Sequence, residues 1–291
     1  MITFICCSIR PEMADALAQN ISDSVGVCHE LIAFDNRKVC HSMCEVYNHC
    51  AKSAKYDYLC FLHEDVRFNT PNWGERIVEK LSEPDCGVIG FLGSIIKQAQ
   101  PSGWYYSRNT IRQRMVQHRV GRPPKNITIN PCGEDFAQVI TLDGLCLFVR
   151  KDVWAEHRFD EDMLKGFHGY DIDFSLSVAQ KYKNYVTCTI EAEHFSSGYL
   201  DKQWVEAVML IHKKWQNKLP MYTPEWQEYA DRYDTTQAKY QSARYMMKNL
   251  YDLENPNRIA LKFFKDHWLN SRYGWAMLIK IVSDKFKKRK R

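Results

Sequence analysis

An α/β fold with a mostly parallel sheet flanked by helices is what this 291-residue chain predicts, and three observations carry the prediction. Apolar runs alternate with amphipathic stretches through the first 65 residues, in the order strand, helix, strand, helix, strand. The run from Tyr58 to Leu62 is apolar or aromatic throughout, as in a strand buried on both faces. Each run stops at polar residues: Ser8 and Arg10, then Asp35 and Asn36, then Glu64 and Asp65. Such alternation implies right-handed crossovers, which bring the three strand ends to one edge of a parallel sheet. Ligands bind at that edge in open α/β sheets. On this reading Asp35 and Asp65 lie side by side there.

The elements follow in order. Residues 2–8 form the first strand, and Pro11 suits the first turn of a helix from Glu12 to about Ile21. His29 to Asp35 is the second strand and Met43 to Ala54 the second helix. Glu64 and Asp65 would be costly if ionised and buried without partners, so they belong where the third strand leaves the core. A paired acid there suits a divalent cation that also holds phosphates, because hard cations take one or two carboxylates and keep positions open.

Beyond residue 65, Asn72 to Leu81 reads as a helix with Trp73 and Ile77 facing inward, and Cys86 to Gly93 as a buried strand. Residues 95–135 mix Trp104, Tyr105 and Tyr106 with Arg108, Arg112, Arg114, Arg119, Arg122 and Lys125, and Pro123 and Pro124 argue against regular structure. A long irregular insertion is either mobile or a functional lid, and these aromatic residues suit a lid over substrate. Gln138 to Arg150 reads as strand, turn, strand around Asp143 and Gly144. Asp171 and Asp173 fall in the first turn of a helix marked by Ile172, Leu176 and Ala179, where acids complement the helix dipole. Gly166 and Gly169 before it suggest a close backbone approach. Val186 to Ile190 is a short strand leading to His194, and after Gly198 the pattern turns helical, with an amphipathic stretch from Trp204 to Trp215 and a long helix or pair from Pro224 to Leu250. Two units are therefore expected, a sheet domain over 1–200 and a helical extension over 201–291.

Composition narrows the class. With 45% hydrophobic and 13% aromatic residues the chain is globular, and no apolar run approaches the roughly 20 residues that span a bilayer. The first residues lack the positive flank of an export signal, and eleven cysteines, an odd number, fit a reducing cytosol. Cys40, Cys44 and Cys50, with His41 and His49 between them, match none of the common zinc spacings. Residues 258–291 hold 11 Lys or Arg against 2 acids, so the rest of the chain is net acidic and the basic surplus belongs to the tail. The stretch from Trp268 to Phe286 is basic and amphipathic and six of the last seven residues are Lys or Arg, a pattern of membrane-surface binding or of a solvated end. An acidic body without basic stripes argues against nucleic acid.

Taken together, these segments resemble the family-2-like glycosyltransferases with a GT-A fold, a nucleotide-sugar-binding α/β sheet, over roughly residues 2–200. Cys7-Ser8-Ile9-Arg10-Pro11 stands at that family's first strand end and nucleobase contact, and Asp35 matches the acid that meets uracil or ribose. Asn36 follows it at the same edge. Tyr47-Asn48-His49-Cys50-Ala51 is similar to the family's Arg-Asn-x-Gly segment without its arginine, with Asn48 in register. His63-Glu64-Asp65 occupies the place of the Asp-x-Asp metal motif; His63 replaces the first acid, Asp65 is the implied metal ligand, and Glu64 is the middle residue. Tyr170-Asp171-Ile172-Asp173 resembles the Glu-Asp-x-Asp helix start, which implies Asp171 as catalytic base and puts Tyr170 where the glutamate stood. His194 in His-Phe-Ser-Ser-Gly looks like the histidine that closes the metal site.

The resemblance implies a metal-dependent, inverting hexosyltransferase. A nucleotide-sugar donor, UDP- or GDP-linked, would lie against Ser8, Arg10, Asp35, Asn36, Asn48 and Glu64, with a divalent cation on Asp65 and His194. Imidazole in that set turns the preference from Mg2+ towards Mn2+. Asp143, Gly144, Trp104 and Asp173 are the candidates for acceptor contact. The acceptor would be a glycan or a lipid-linked sugar of cell-surface polysaccharide or glycolipid assembly, reached by a cytoplasmic enzyme held at an anionic membrane by its tail. Two other readings stand beside this one: a non-catalytic nucleotide- or glycan-binding protein with a degenerate site, and a sugar nucleotidyltransferase.

Overall fold

A computed structural model describes residues 1–39, 41–105, 108–196 and 201–226, with Tyr240, Ala276 and Ile279. The expected alternation is present. Strand β1 (Ile2–Ser8), helix α1 (Pro11–Ser24), β2 (His29–Asp35), α2 (Met43–Ser53) and β3 (Tyr58–Leu62) follow in order, and β1 pairs in parallel with both β2 and β3. Pro11 opens α1, where its missing N–H costs nothing. Ser42 and Glu45 cap α2 reciprocally: Ser42 Oγ accepts from the Glu45 amide at 3.2 Å, and the Glu45 carboxylate accepts from the Ser42 amide at 2.8 Å.

After β3 come β4 (Val66–Phe68), α3 (Gly74–Ser82), β5 (Cys86–Gly90), β6 (Leu92–Ser94), β7 (Ile96–Lys97), β8 (Ile111–Arg119), β9 (Arg122–Ile129), β10 (Phe136–Val139), β11 (Thr141–Leu142) and β12 (Cys146–Arg150). Helices α4 (Lys151–His157) and α5 (Tyr170–Val178), strands β13 (Lys183–Thr187) and β14 (Ala192–His194), helix α6 (Lys202–Trp215) and β15 (Met221–Tyr222) complete the described elements. The main sheet runs β10-β13-β5-β12-β3-β1-β2. It is mixed: five of its seven strands run the same way, while β12 is antiparallel to both its neighbours and β10 is antiparallel to β13. Alternate residues of β3 feed two cores. Leu59 and Phe61 pack with Val46 and Tyr47 of α2 and Phe174 of α5, while Cys60 and Leu62 pack with Leu17 of α1, Ile77 of α3 and Trp73 just before it. Burying a side chain such as Phe61 contributes about 1.5–3 kcal/mol.

Three expectations need correction. Asp35 and Asp65 are not neighbours, because β1 lies between β2 and β3 and it is Ser8 that pairs with Asp35. The expected strand from Cys86 to Gly93 is two strands, β5 in the main sheet and β6 in a second one, with the chain crossing between them at Phe91. Residues 95–135 are not an irregular lid. Within it, β8 and β9 form a hairpin of a second sheet, ordered β11-β6-β8-β14-β4, with β9 added along β8. Pro123 and Pro124 are tolerated because β9 pairs only with β8 and the ladder shifts register between Gln117 and Arg119, opposite the prolines.

Helix α6, beyond the boundary expected near residue 200, packs against the sheet domain. Ala207, Ile211 and Trp215 of α6 join the same core cluster as Phe61 and Phe174. Gly169, at φ +89° before α5, allows this approach: a Cβ there would lie 2.8 Å from Ile211 Cδ1 and 3.2 Å from Ala207 Cβ. Beyond the turn at Pro224–Trp226, the expected long helix and the basic end fall outside the described residues, Tyr240, Ala276 and Ile279 excepted. Among the described residues no helix is long and apolar enough to cross a membrane.

Candidate active site at the carboxyl edge of the sheet

The site begins where β3 ends. His63 is held by its amide to the Leu145 carbonyl at 3.1 Å, and Glu64 and Asp65 make the turn that carries the chain into β4. Strand β4 then pairs with β14 in the second sheet, setting His194 opposite Val66, and the Phe195 amide donates to the Asp65 carbonyl at 3.0 Å. The sheet that replaces the expected lid is therefore what delivers His194. Asp65 Oδ1 lies 3.6 Å from His194 Nε2 and 4.0 Å from His63 Nδ1, and the three side chains offer ligand atoms all within 4.8 Å of one another.

This trio fits a divalent cation. Asp65 is nearly buried, yet its Oδ1 has no hydrogen-bond partner, an arrangement that is costly unless something cationic completes it. Burial pushes the His63 pKa down, which favours the neutral imidazole that binds metals. His194 is oriented from behind. Gln117 on β8 donates through Nε2 to the carbonyls of His118, His194 and Ser196, which leaves its Oε1 to accept from His194 Nδ1 at 3.3 Å. In that tautomer the single Nε2 lone pair of His194 accepts from Ser196 Oγ at 3.0 Å, with Asp65 Oδ1 3.6 Å away, so a cation there would take the place of the Ser196 proton.

His63 has its own support. Its Nε2 lies 2.8 Å from Tyr170 Oη, which donates to the Gly144 carbonyl at 3.0 Å. Gly144 turns its amide to Asp171, donating to Oδ2 at 3.0 Å. A Cβ at position 144 would sit 2.2 Å from Tyr170 Oη, so only glycine lets the phenol in. Asp171 stands at the N-terminus of α5. Desolvation, with the negative charge of Asp143 second, pushes its pKa up to about 7. A carboxylate poised there is a competent general base near neutral pH. Asp143 itself braces the turn, accepting from the Leu145 amide at 3.0 Å.

Glu64 faces the other way. Its carboxylate accepts from Ser8 Oγ at 2.7 Å, the Ile9 and Arg10 amides at 3.1 and 3.0 Å, and Arg10 Nε at 2.8 Å. It thereby pins the loop after β1 to the end of β3. Arg10 remains half-exposed and extends Nη2 to 3.8 Å from Asp65 Oδ2, so its cation borders the proposed metal position. The Ser8 hydroxyl is spent on Glu64.

Several sequence candidates are occupied elsewhere. Asp35 is exposed and chelated by Arg37, whose Nε and Nη2 donate at 2.9 and 2.6 Å and hold the carboxyl pKa down at about 2. Asn36 closes a local loop, exchanging hydrogen bonds with the amide and carbonyl of His41, both at 2.9 Å. Asn48 is a buried strut: it donates to the Phe159 carbonyl and to Glu161 at 2.8 Å and accepts from the Phe159 amide and from Trp154 Nε1. Asp173 anchors α6, accepting from Trp215 Nε1 at 2.7 Å and Lys214 Nζ at 2.8 Å. Trp104 packs against both cores, and the loop before it is tied down by buried Lys97, whose Nζ donates to Ser102 Oγ and the Ser102 carbonyl at 2.7 Å and the Gly103 carbonyl at 3.1 Å. The polar groups of Asn48 and Asp173 are thus engaged by packed neighbours.

Sequence reasoning missed His63, Tyr170 and Gln117. The signal for His63 was its spacing, since residues two apart in extended chain share a face. Cys44 and Cys50 are buried free thiols on α2, and among the described residues the one cluster whose geometry could hold a metal ion is His63, Asp65 and His194.

A family model described as "Glycosyltransferase like family" matches residues 3–233. No curated protein matches the sequence. Among solved structures the chain is similar to GalNAc-T7 with UDP, GalNAc and Mn2+, at a TM-score of 0.53 and 12% identity, over 98% of this chain and 58% of that one. It is also similar to residues 1–349 of S. aureus TarS, at a TM-score of 0.50 and 11% identity, over 97% of this chain and 79% of that one. At such identities the likeness is one of fold.

Proposed function

The chain belongs to the glycosyltransferase-like family and has the GT-A fold, and from that premise we propose that it moves a hexose from a UDP- or GDP-linked sugar to an acceptor hydroxyl with inversion. The observation that carries the reading is the orphaned Asp65 Oδ1 facing His63 and His194, with Asp171 reached from His63 through Tyr170 and Gly144. A divalent cation held by that trio would neutralise the charge that builds on a leaving diphosphate. Two imidazoles in the set favour Mn2+ over Mg2+.

The residues of the chain do the rest. Arg10, half-exposed beside Asp65, offers its guanidinium to the diphosphate. Asp171 accepts the proton of the acceptor hydroxyl as that oxygen bonds to the anomeric carbon and the bond from that carbon to the diphosphate oxygen breaks. Attack from the face opposite the leaving group inverts the centre. The Gly144 amide holds the Asp171 carboxylate in line. The family match and the likeness to GalNAc-T7 with UDP, GalNAc and Mn2+ support a nucleotide-sugar donor. The basic tail at 285–291 would hold a cytoplasmic enzyme to an anionic membrane and bring it to a lipid-linked acceptor of surface-glycan assembly.

The test is donor hydrolysis. The full chain is incubated with UDP- and GDP-sugars and Mn2+, and the released nucleotide is identified. Slow release of nucleoside diphosphate from one donor is expected. Binding without release would leave a lectin-like or nucleotide-binding protein, and release of pyrophosphate from a sugar phosphate and nucleoside triphosphate would make it a nucleotidyltransferase.

A further inference from the structure

We infer that Tyr170 is the positioning residue of the cation site: it fixes His63 in the tautomer that presents Nδ1 beside Asp65, making His63 a third ligand, and through Gly144 it ties that site to Asp171. The inference rests on the glycosyltransferase reading only for the use made of the cation.

The chemistry of one phenol sets the tautomer. Tyr170 Oη has a single proton and three close partners, the Gly144 carbonyl at 3.0 Å, His63 Nε2 at 2.8 Å and the Tyr47 hydroxyl, whose own proton goes to the Leu62 carbonyl at 3.3 Å. A carbonyl can only accept, so the phenol proton goes to Gly144 and the oxygen lone pair receives His63 Nε2–H. His63 Nδ1 is then unprotonated, 4.0 Å from the unpartnered Asp65 Oδ1. The phenol cannot drift. Tyr170 is 4% exposed and wedged edge-on against Tyr47 and Phe159, with ring centroids 5.5 and 6.0 Å away.

The two positions where the chain departs from its family's acidic pattern, His63 and Tyr170, are thus in direct contact. A glutamate at 170 could accept from His63 but could not also donate to Gly144; its charge would face a carbonyl dipole. A hydroxyl both accepts and donates on one atom, so the imidazole at 63 and the phenol at 170 make sense as a pair. Groups that hold the far nitrogen of a ligating histidine typically change metal affinity by about 10–100-fold when removed.

The experiment uses metal alone, without donor or acceptor. Co2+ binding is followed by its visible absorption, and Mn2+ and Mg2+ binding by calorimetry, on the full chain and on Tyr170→Phe and His63→Asp. Tyr170→Phe is expected to bind Co2+ about tenfold or more weakly. His63→Asp is expected to narrow the Mn2+ over Mg2+ preference, as a carboxylate replaces an imidazole. Nitrogen–proton correlation spectra of the unaltered, metal-free protein should show His63 protonated at Nε2, a reading that needs no variant to fold. Unchanged Co2+ affinity and spectrum in Tyr170→Phe, or His63 protonated at Nδ1, overturns the inference. An enzyme that releases nucleoside diphosphate yet gives those results loses only this inference. A protein that binds metal as expected but never cleaves a donor loses only the proposed function.

Discussion

The Gly144 amide donates to Asp171 Oδ2 at 3.0 Å, and that bond decides how the carboxylate behaves. It aims one oxygen at the turn between β11 and β12, at the rim of the main sheet. Asp171 keeps a raised pKa despite accepting it, because desolvation and Asp143 outweigh the backbone donors. A carboxylate that is difficult to ionise yet held in place is unusual for a purely structural acid. It matches what a general base requires.

Asp171→Asn should lower turnover by about a hundredfold or more, with donor affinity nearly unchanged. Single-turnover kinetics and donor calorimetry separate the two effects. The pKa, raised from 3.8 to about 7, gives stability that is fully present below the unfolded value and lost as pH rises through about 7. The amide removes that loss, so Asp171→Asn should melt no lower than the parent at pH 8. A lower melting point together with weakened donor binding would make Asp171 a structural residue.

The pH profile tests the same assignment. Asp171 is a base only when ionised, so kcat/KM should fall on the acid side with a one-proton limb near pH 7, or below it where a bound cation draws the pKa down. Asp143→Asn removes the like charge that helps raise the pKa while keeping an oxygen for the Leu145 amide. Its limb should move to lower pH. A limb that stays put assigns the titration to another group.

Glu64 and Asp35, both read from sequence as donor contacts, should separate cleanly. Glu64 accepts four hydrogen bonds from Ser8, Ile9 and Arg10, whereas Asp35 accepts from the neighbouring exposed Arg37. Glu64→Ala should cost about 1–3 kcal/mol in urea unfolding and raise KM for donor as the loop after β1 loosens. Asp35→Ala should leave the unfolding midpoint where it was, and any effect on KM would then report nucleotide contact alone.

What the sequence made legible was local. Tyr58–Leu62 could be bounded because both of its faces are buried, and the helix expected from Met43 does begin there, behind a capping box of Ser42 and Glu45. What escaped it depended on distant partners. Arg112 reads as a solvated lid residue, yet it is fully buried and paired with Glu225, 113 positions away, and no local pattern announces that. Asn48 resembled a donor-binding residue because its saturating partners at Trp154, Phe159 and Glu161 are out of sight along the chain. His63 looked like a lost acid for the same reason: its partner Tyr170 lies 107 residues on, and each departure taken singly suggested decay.

Gly144→Ala probes the joint between the two halves of the site. The new Cβ would press on Tyr170 Oη at 2.2 Å and Cζ at 2.6 Å, and the ring has little room to retreat from Tyr47 and Phe159. Overpacking of this kind costs about 1–3 kcal/mol. A drop of that size in urea stability, with turnover falling at least as far as in Tyr170→Phe, is the expected result.

Asp65→Ala carries the heaviest consequence, because Asp65 is the carboxylate of the trio and its Oδ1 faces both imidazoles. Removing it leaves His63 and His194 without the charge that would bring a divalent cation between them. The two imidazoles alone bind such ions weakly at neutral pH. Donor titrations by calorimetry with and without Mn2+ read this directly. The parent protein should bind its donor much more tightly with Mn2+ present, and Asp65→Ala should bind it equally with or without the ion. Because Asp65 Oδ1 has no hydrogen-bond partner in the fold, deleting it should cost little stability, so a folded but Mn2+-indifferent variant is the expected species. A variant that still shows Mn2+-dependent donor binding would place the cation somewhere other than at the end of β3.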